Sequence, residues 1–235
     1  MHNKSVIVFG ASGAVGAAII KSLQLRGITD IIGTYNNNRP EIHGCHFFHY
    51  DVKEPVSVEF INSLCSLIKH KEISIIYTIG MASSKQKVTS TPIAEWEELL
   101  KVNCLGFGMT YKGFQHLFRR NGARIIVFSS NATKTSSEKN GPYTASKVAL
   151  ESLVITLAKE EREYGVRLNV IAPSLIDSPL ADKVLQMKGV TKEQHAKSLP
   201  WGRSIELAEI SEAAVSLAVD DYWKYISGQV IRYSA

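Results

Sequence analysis

The sequence predicts an α/β fold: one domain, residues 1–235, built on a doubly wound parallel sheet of about seven strands with helices on both faces. Three observations carry this. Seven short runs rich in β-branched and aromatic residues alternate with longer segments whose apolar residues recur at spacings of three and four. A glycine-rich turn joins the first run to the first helical segment. No internal repeat or linker-like stretch interrupts the alternation along 235 residues, a length that supports one substantial core.

The predicted strands are Ser5–Gly10, Asp30–Tyr35, Cys45–Tyr50, Ile73–Gly80, Arg124–Ser130, Arg167–Pro173 and Gln229–Ser234. Each is short and nearly continuously apolar, as expected of strands covered on both faces. The predicted crossover helices are Ala14–Leu25, Val56–Lys69, Pro92–Phe118, Tyr143–Glu163 and Ile205–Val219. Such sheets bind ligands beyond the carboxyl ends of their strands, so the residues just after each apolar run are the places to look for chemistry.

After the first strand comes Gly10-Ala11-Ser12-Gly13-Ala14-Val15-Gly16, then a helical pattern. Small residues there let the backbone approach a pyrophosphate, which a helix amino terminus favours. The second strand ends in Thr34, Tyr35, Asn36, Asn37, Asn38 and Arg39 without a carboxylate to receive a ribose 2′-hydroxyl, while Asp30 lies at the other end of the strand. Arg39 is suited to a 2′-phosphate, which favours NADP with NAD as the alternative. Tyr143 and Lys147, four apart at the start of a helical segment, share one helix face, and an ammonium near a phenol stabilises its phenolate for acid–base work.

At these residues the chain resembles the short-chain dehydrogenase/reductase family, over essentially its whole length. Its glycine-rich turn looks like GASGAVG, with Ala14 where a glycine is usual. The acidic residue that touches adenine is matched by Asp51, with Val52 beside it, and the position after the fourth strand by Gly80. The catalytic asparagine, serine, tyrosine and lysine are matched by Asn103 in KVNCLG, Ser130 in RIIVFSS, and Tyr143 and Lys147 in YTASK. NVIAPSLIDSP is similar to the segment beside the nicotinamide, with Asn169, Pro173, Ile176 and Ser178 in matching places.

The resemblance implies a Rossmann-type sheet and hydride transfer between a nicotinamide and a carbonyl or alcohol carbon. Tyr143 would exchange the proton and Ser130 would hydrogen-bond the same oxygen. Lys147 would lower the tyrosine pKa and hold the ribose, and Asn103 would position a water. It implies an NADPH-dependent carbonyl reductase or alcohol dehydrogenase similar to 3-oxoacyl-carrier-protein reductases, assembled as a homotetramer or homodimer. A dinucleotide-sensing or scaffolding protein, and an epimerase or dehydratase, are the competing readings of the same fold. The chain departs from the family at Tyr77-Thr78-Ile79-Gly80, where two asparagines usually tie neighbouring strands to the cofactor loop. It departs again at Ser174, and in the tail at Tyr233, Ser234 and Ala235.

Other features exclude other classes. Lys and Arg number 27 against 22 Asp and Glu, a net charge of +5 scattered along the chain rather than gathered as for nucleic acid. Cys45, Cys65 and Cys104 show no CxxC spacing, which fits a reducing cytoplasm without disulfides. His43, Cys45, His46 and His49 resemble a metal cluster in composition, but side chains alternate along a strand and these cannot all converge, so no metal is expected. The opening apolar run is too short for a signal-peptide core, and no later run reaches the roughly 18 residues of a membrane span. The polar stretch Met81 to Thr91 reads as a border of the active site or as a solvated loop. Residues from about 174 to 203, with Leu180, Leu185, Met187 and Trp201, are long enough to form a substrate lid.

Overall fold

The computed structural model describes residues 4–234; Ala235, noted above in the tail, lies outside them. In the half before the sheet's midpoint the chain forms β1 (Lys4–Phe9), α1 (Ala14–Leu25), β2 (Ile31–Tyr35), β3 (His46–His49) and α2 (Val58–Cys65). It continues with β4 (Glu72–Tyr77), α3 (Ile93–Leu100), a π-helical turn (Lys101–Leu105), α4 (Gly106–Asn121) and β5 (Ala123–Phe128). The last part holds α5 (Ala132–Thr135), α6 (Gly141–Glu160), β6 (Arg167–Pro173), α7 (Pro179–Lys188), α8 (Lys192–Lys197), α9 (Leu207–Val219) and β7 (Val230–Tyr233).

The seven strands form one parallel sheet in the order β3-β2-β1-β4-β5-β6-β7. Successive side chains of a strand face opposite sides, so β1 serves two cores. Ile7 and Phe9 join Ile75, Tyr77, Phe114 and Phe118 on the face covered by α4 and α6. Val6 and Val8 join Ile19, Ile20, Leu23 and Ile210 under α1 and α9. Chain direction across the sheet reverses between β1 and β4, the position where a crevice opens at the carboxyl ends of the strands. At the opposite end Asp30 ties strand starts together: it accepts from the Ser5 hydroxyl and from Lys69 N at 3.1 Å. Its role is structural.

Most boundaries shift by a few residues from the sequence reading, and three regions differ by more. The second helix is shorter than Val56–Lys69, because Ser57 caps it, accepting from Phe60 N at 3.1 Å, and turns follow Cys65. The single helix expected over Pro92–Phe118 is broken by the π turn. Residues 174–203 contain two helices that the sequence reading did not separate. Both carry legible starts: Ser178 before Pro179, and a capping box in which Thr191 and Gln194 bond reciprocally. No described helix is long and apolar enough to cross a membrane.

The approach of α1 to the turn after β1 rests on Gly16. A Cβ there would overlap the Gly10 carbonyl oxygen and lie 2.8 Å from Ala11 Cα, whereas one at Gly13 would meet nothing closer than 3.5 Å. Both obstacles at Gly16 are backbone, which cannot swing aside. Gly16→Ala is therefore expected to lower stability by about 1–3 kcal/mol, and Gly13→Ala to change it by roughly 0.5 kcal/mol or less, in urea titrations of the ligand-free protein.

Candidate active site

The glycine-rich turn is built for a close backbone approach. Gly10 has φ +88°, and a Cβ there would lie 2.7 Å from Thr78 Oγ1. Thr34, expected among the cofactor contacts, is buried and braces the turn from below. Its hydroxyl accepts from Gly10 N at 3.1 Å and its carbonyl from Ala11 N at 2.7 Å. Thr78 supplies the tie that the resemblance assigned to the missing asparagines. Its N–H and hydroxyl both reach Phe9 O at 2.9 Å, and the hydroxyl also approaches Gly10 O at 3.2 Å.

Gly13 begins α1 with no side-chain cap and no acidic residue in the first turn, which leaves its amide N–H groups and positive dipole end for an anion. Ser12 and Gly13 are exposed there and Val15 is half-buried. These features fit a dinucleotide pyrophosphate.

Beyond the turn, the carboxyl ends of β2 and β3 carry the residues assigned to the adenosine end. Tyr35 stacks edge-on against His49 at 5.8 Å, Asn36 and Arg39 are exposed, and Arg39 makes no ion pair with a described residue. Asp51 is half-buried and its carboxylate accepts from Lys53 N at 2.9 Å. Val52 is buried against Gly106 of α4, where a Cβ would strike its side chain. His43, His46 and His49 are exposed, and among the described residues no three potential ligands gather to hold a metal.

On the other side of the switch point lies a cleft of about 470 Å³. Of the residues singled out from sequence, Val15, Gly80, Ser130, Tyr143, Lys147, Pro173, Ile176 and Ser178 line it together. Tyr143 and Lys147 come from the first turns of α6, and Ser130 from the segment just after β5. Pro173 closes β6, Ile176 bridges to Ile205, and Ser178 caps α7, accepting from Ala181 N at 3.3 Å. From the 174–203 segment, Leu180 lines the cleft and Leu185 is buried, while Met187 and Trp201 are exposed. Of the loop after β4, Met81, Ala82 and Lys85 border the cleft.

The electrostatics differ in part from the sequence expectation. Burial raises the Tyr143 phenol above its usual range, and a hydrogen bond with Ser130 offsets only part of this. The phenol is thus held protonated by its surroundings rather than drawn toward neutrality by Lys147. Lys147 is itself the more perturbed group: buried, with Nζ donating to Phe128 O at 3.1 Å, it is pushed down to about 8, against the raising influence of Glu151 and Cys104. Glu151, one helical turn beyond Lys147, was not singled out from sequence. It accepts from Ser129 Oγ at 2.7 Å and Thr133 Oγ1 at 2.8 Å, and pairs with Arg232 of β7 at 3.3 Å.

Asn103 is fully buried in the π turn. Its Oδ1 accepts from Met81 N at 2.8 Å, and its Nδ2 donates to Met81 O at 3.1 Å and Ser146 Oγ at 3.0 Å. The side chain that the resemblance would give to a water instead pins the loop after β4 to α6. A Cβ on Gly80 would lie 3.0 Å from Lys147 Nζ and 3.2 Å from Asn103 Oδ1, so these groups converge closely on the Gly80 backbone and a side chain there would crowd both.

Residues 10–234 match the family model described as Enoyl-(Acyl carrier protein) reductase. An acetoacetyl-CoA reductase of Synechocystis sp. is 26% identical over 99% of this chain and 95% of its own. An L-fucose dehydrogenase of Oryctolagus cuniculus is 30% identical over 92% of this chain and 78% of its own. Among solved structures, the aldohexose dehydrogenase of Thermoplasma acidophilum superposes with a TM-score of 0.87 at 20% identity, covering 98% of this chain and 92% of that one. ElxO with NADP bound superposes with a TM-score of 0.84 at 17% identity, covering 100% and 98%. With this match across nearly the whole chain, the protein belongs to the short-chain dehydrogenase/reductase family of NAD(P)-dependent oxidoreductases.

Proposed function

We propose that the chain is an NADPH-dependent reductase of a small carbonyl compound. The observation that carries this reading is the convergence of Ser130, Tyr143 and Lys147 on one cleft, with the Tyr143 phenol held protonated by its burial. A protonated phenol is an acid, the form that carbonyl reduction needs. When bound, the dinucleotide supplies the hydride. Tyr143 gives its proton to the carbonyl oxygen, and Ser130 Oγ hydrogen-bonds that oxygen as negative charge develops on it. Lys147, charged below about pH 8, lies within the same cleft to hold the nicotinamide ribose and to stabilise the phenolate left by Tyr143. Asn103 acts at one remove, fixing Gly80 and Met81 against α6.

On the same reading Gly10, Ser12, Gly13, Val15 and Gly16 cradle the pyrophosphate, Asp51 and Val52 border the adenine, and Pro173, Ile176 and Ser178 flank the nicotinamide. The chain works as one domain in which residues 174–203 close over the substrate. Copies assemble as a homotetramer or homodimer through the α3–α4 and α6 faces, where Leu100, Leu105 and Val148 are exposed. The preference for NADP rests on Arg39 and on the absence of a carboxylate at the end of β2; ElxO shares only the fold and lends it no further weight.

Two measurements test this. Tyr143→Phe should lower kcat for carbonyl reduction by about 10²–10⁴ while NADPH affinity, read by fluorescence titration, stays close to the wild-type value; retention of most turnover refutes the assignment. Arg39→Ala should weaken NADP by roughly one to two orders of magnitude, the worth of a charge-assisted contact, and leave NAD nearly untouched in calorimetry. Equal wild-type affinities, or parallel losses for both cofactors, place the specificity elsewhere.

A further inference from the structure

The cleft carries more positive charge than the proposed proton transfer uses. Besides Lys147 it is lined by Lys85 and Lys188, against one exposed carboxylate, Glu138, and His195 borders it as well. Neither Lys85 nor Lys188 forms an ion pair with a described residue. His195, on α8, has a buried Nε2 without a hydrogen-bond partner.

Lys85 is held in place by a built arrangement. Its backbone is left-handed at φ +62°, strained for a residue with a side chain. Ser136 and Lys139, at φ +46° and +59°, are strained in the same way in the loop that leads to Asn140. Asn140 is buried, and its Oδ1 accepts from Lys85 Nζ at 2.6 Å and from Ser83 Oγ at 3.1 Å, latching the loop after β4 to the start of α6. The latched ammonium stands 5.5 Å from the centroid of the Tyr143 ring. Asn140 takes one of its three N–H donors.

Burial pushes the Lys85 ammonium below the usual lysine range, and the charge of Lys188 pushes it the same way. The neighbouring charge therefore adds to the cost of holding Lys85 beside the reacting centre. A half-buried cation with another cation as its charged neighbour is relieved by an anion, and no carboxylate of the described residues pairs with it.

We propose that the substrate is itself an anion, an oxo or hydroxy compound whose carboxylate or phosphate lies on Lys85, with Lys188 and His195 approaching it from the 174–203 segment. This rests on the reductase reading above. Carbonyl oxygen at Tyr143 and oxyanion at Lys85 fix two points of a small molecule and so its orientation. Carboxylate and phosphate make the same demand on an ammonium, and substrates bearing each distinguish them.

The test compares charged compounds with neutral partners of like shape: acetoacetate with methyl acetoacetate, levulinate with methyl levulinate, and dihydroxyacetone phosphate with dihydroxyacetone. Each is assayed with NADPH on the wild-type protein, Lys85→Met, Lys85→Arg and Lys188→Met. The expected wild-type ratio of kcat/KM, charged over neutral, is about tenfold or more for at least one pair. It should fall toward unity in Lys85→Met, recover in Lys85→Arg, and fall by less in Lys188→Met. A wild-type ratio near unity for every pair, or a ratio that Lys85→Met leaves in place, overturns the proposal. Calorimetric titration of the same anions into the NADPH-bound protein separates the two readings. Anions that bind through Lys85 without turnover uphold the anion site and refute the reductase; turnover of the neutral partners without charge preference does the reverse; and failure of every anion to bind overturns the proposal outright.

Discussion

The buried ammonium of Lys147 is the constraint on which the architecture of the cleft depends. It is 4% exposed, and a charge so withdrawn from water needs acceptors and counter-charge fixed around it. The carbonyl of Phe128 is available because β5 ends there and its last acceptor is free of the ladder. Glu151 supplies negative charge from the next turn of α6 and is held by Ser129 just after β5, Thr133 of α5 and Arg232 of β7. A Cβ at Gly80 would crowd Nζ at 3.0 Å, and Gly80 stays in place because Asn103 holds its neighbour Met81 at both backbone groups. Five separate elements thus meet at one ammonium, and the parallel order of β4, β5, β6 and β7 is what lets them meet.

The π turn is part of the same solution. An unbroken helix over residues 92–118 would keep Asn103 in register with its neighbours; widening the helix at Lys101–Leu105 turns the amide toward Met81 and Ser146. The amide's three hydrogen bonds also make it a poor candidate for a freely oriented water ligand. The phenol beside this network is kept protonated by burial, while Lys147 changes charge near neutrality. The two groups are separated in acidity by their surroundings, the pattern expected where one gives a proton and the other steadies the charge that results.

Much of this was legible in the sequence, and what was not follows a physical rule. Strand runs such as VIVF and IIVF, the turn at Gly10–Gly16, and the Tyr143 and Lys147 pair are local patterns, and each lies where the pattern puts it. Asp30 could be set aside as a cofactor ligand from its position before β2, and its bond to Ser5 agrees. The π turn was not legible, because the contact between Asn103 and Met81 that goes with it is one no local spacing encodes. Neither was the role of Thr78, whose hydroxyl restores a tie that a comparison of residue types counted as lost. Glu151 stood at the right spacing from Lys147, yet its partners lie on β7 and after β5. The stretch Met81 to Thr91 reads from sequence as a border of the active site or as a solvated loop, and what distinguishes Lys85 within it is Asn140, 55 positions away in the chain.

The direct test of the central claim is the pH dependence of stability in Lys147→Met compared with wild type. Lys147 falls from the usual 10.5 to about 8 in the folded protein, so between these values the native state has released a proton that the unfolded chain still binds. Stability owed to this residue must then rise with pH across that window, and be at its lowest below about 8. Urea unfolding of both proteins from pH 7 to 10 should show the wild type gaining about 2–3 kcal/mol relative to the methionine variant, with effects of all other groups cancelling. A difference that stays constant over that range would contradict the account, since it would mean that the ammonium is not buried at a cost and that nothing around it needs to be arranged as it is.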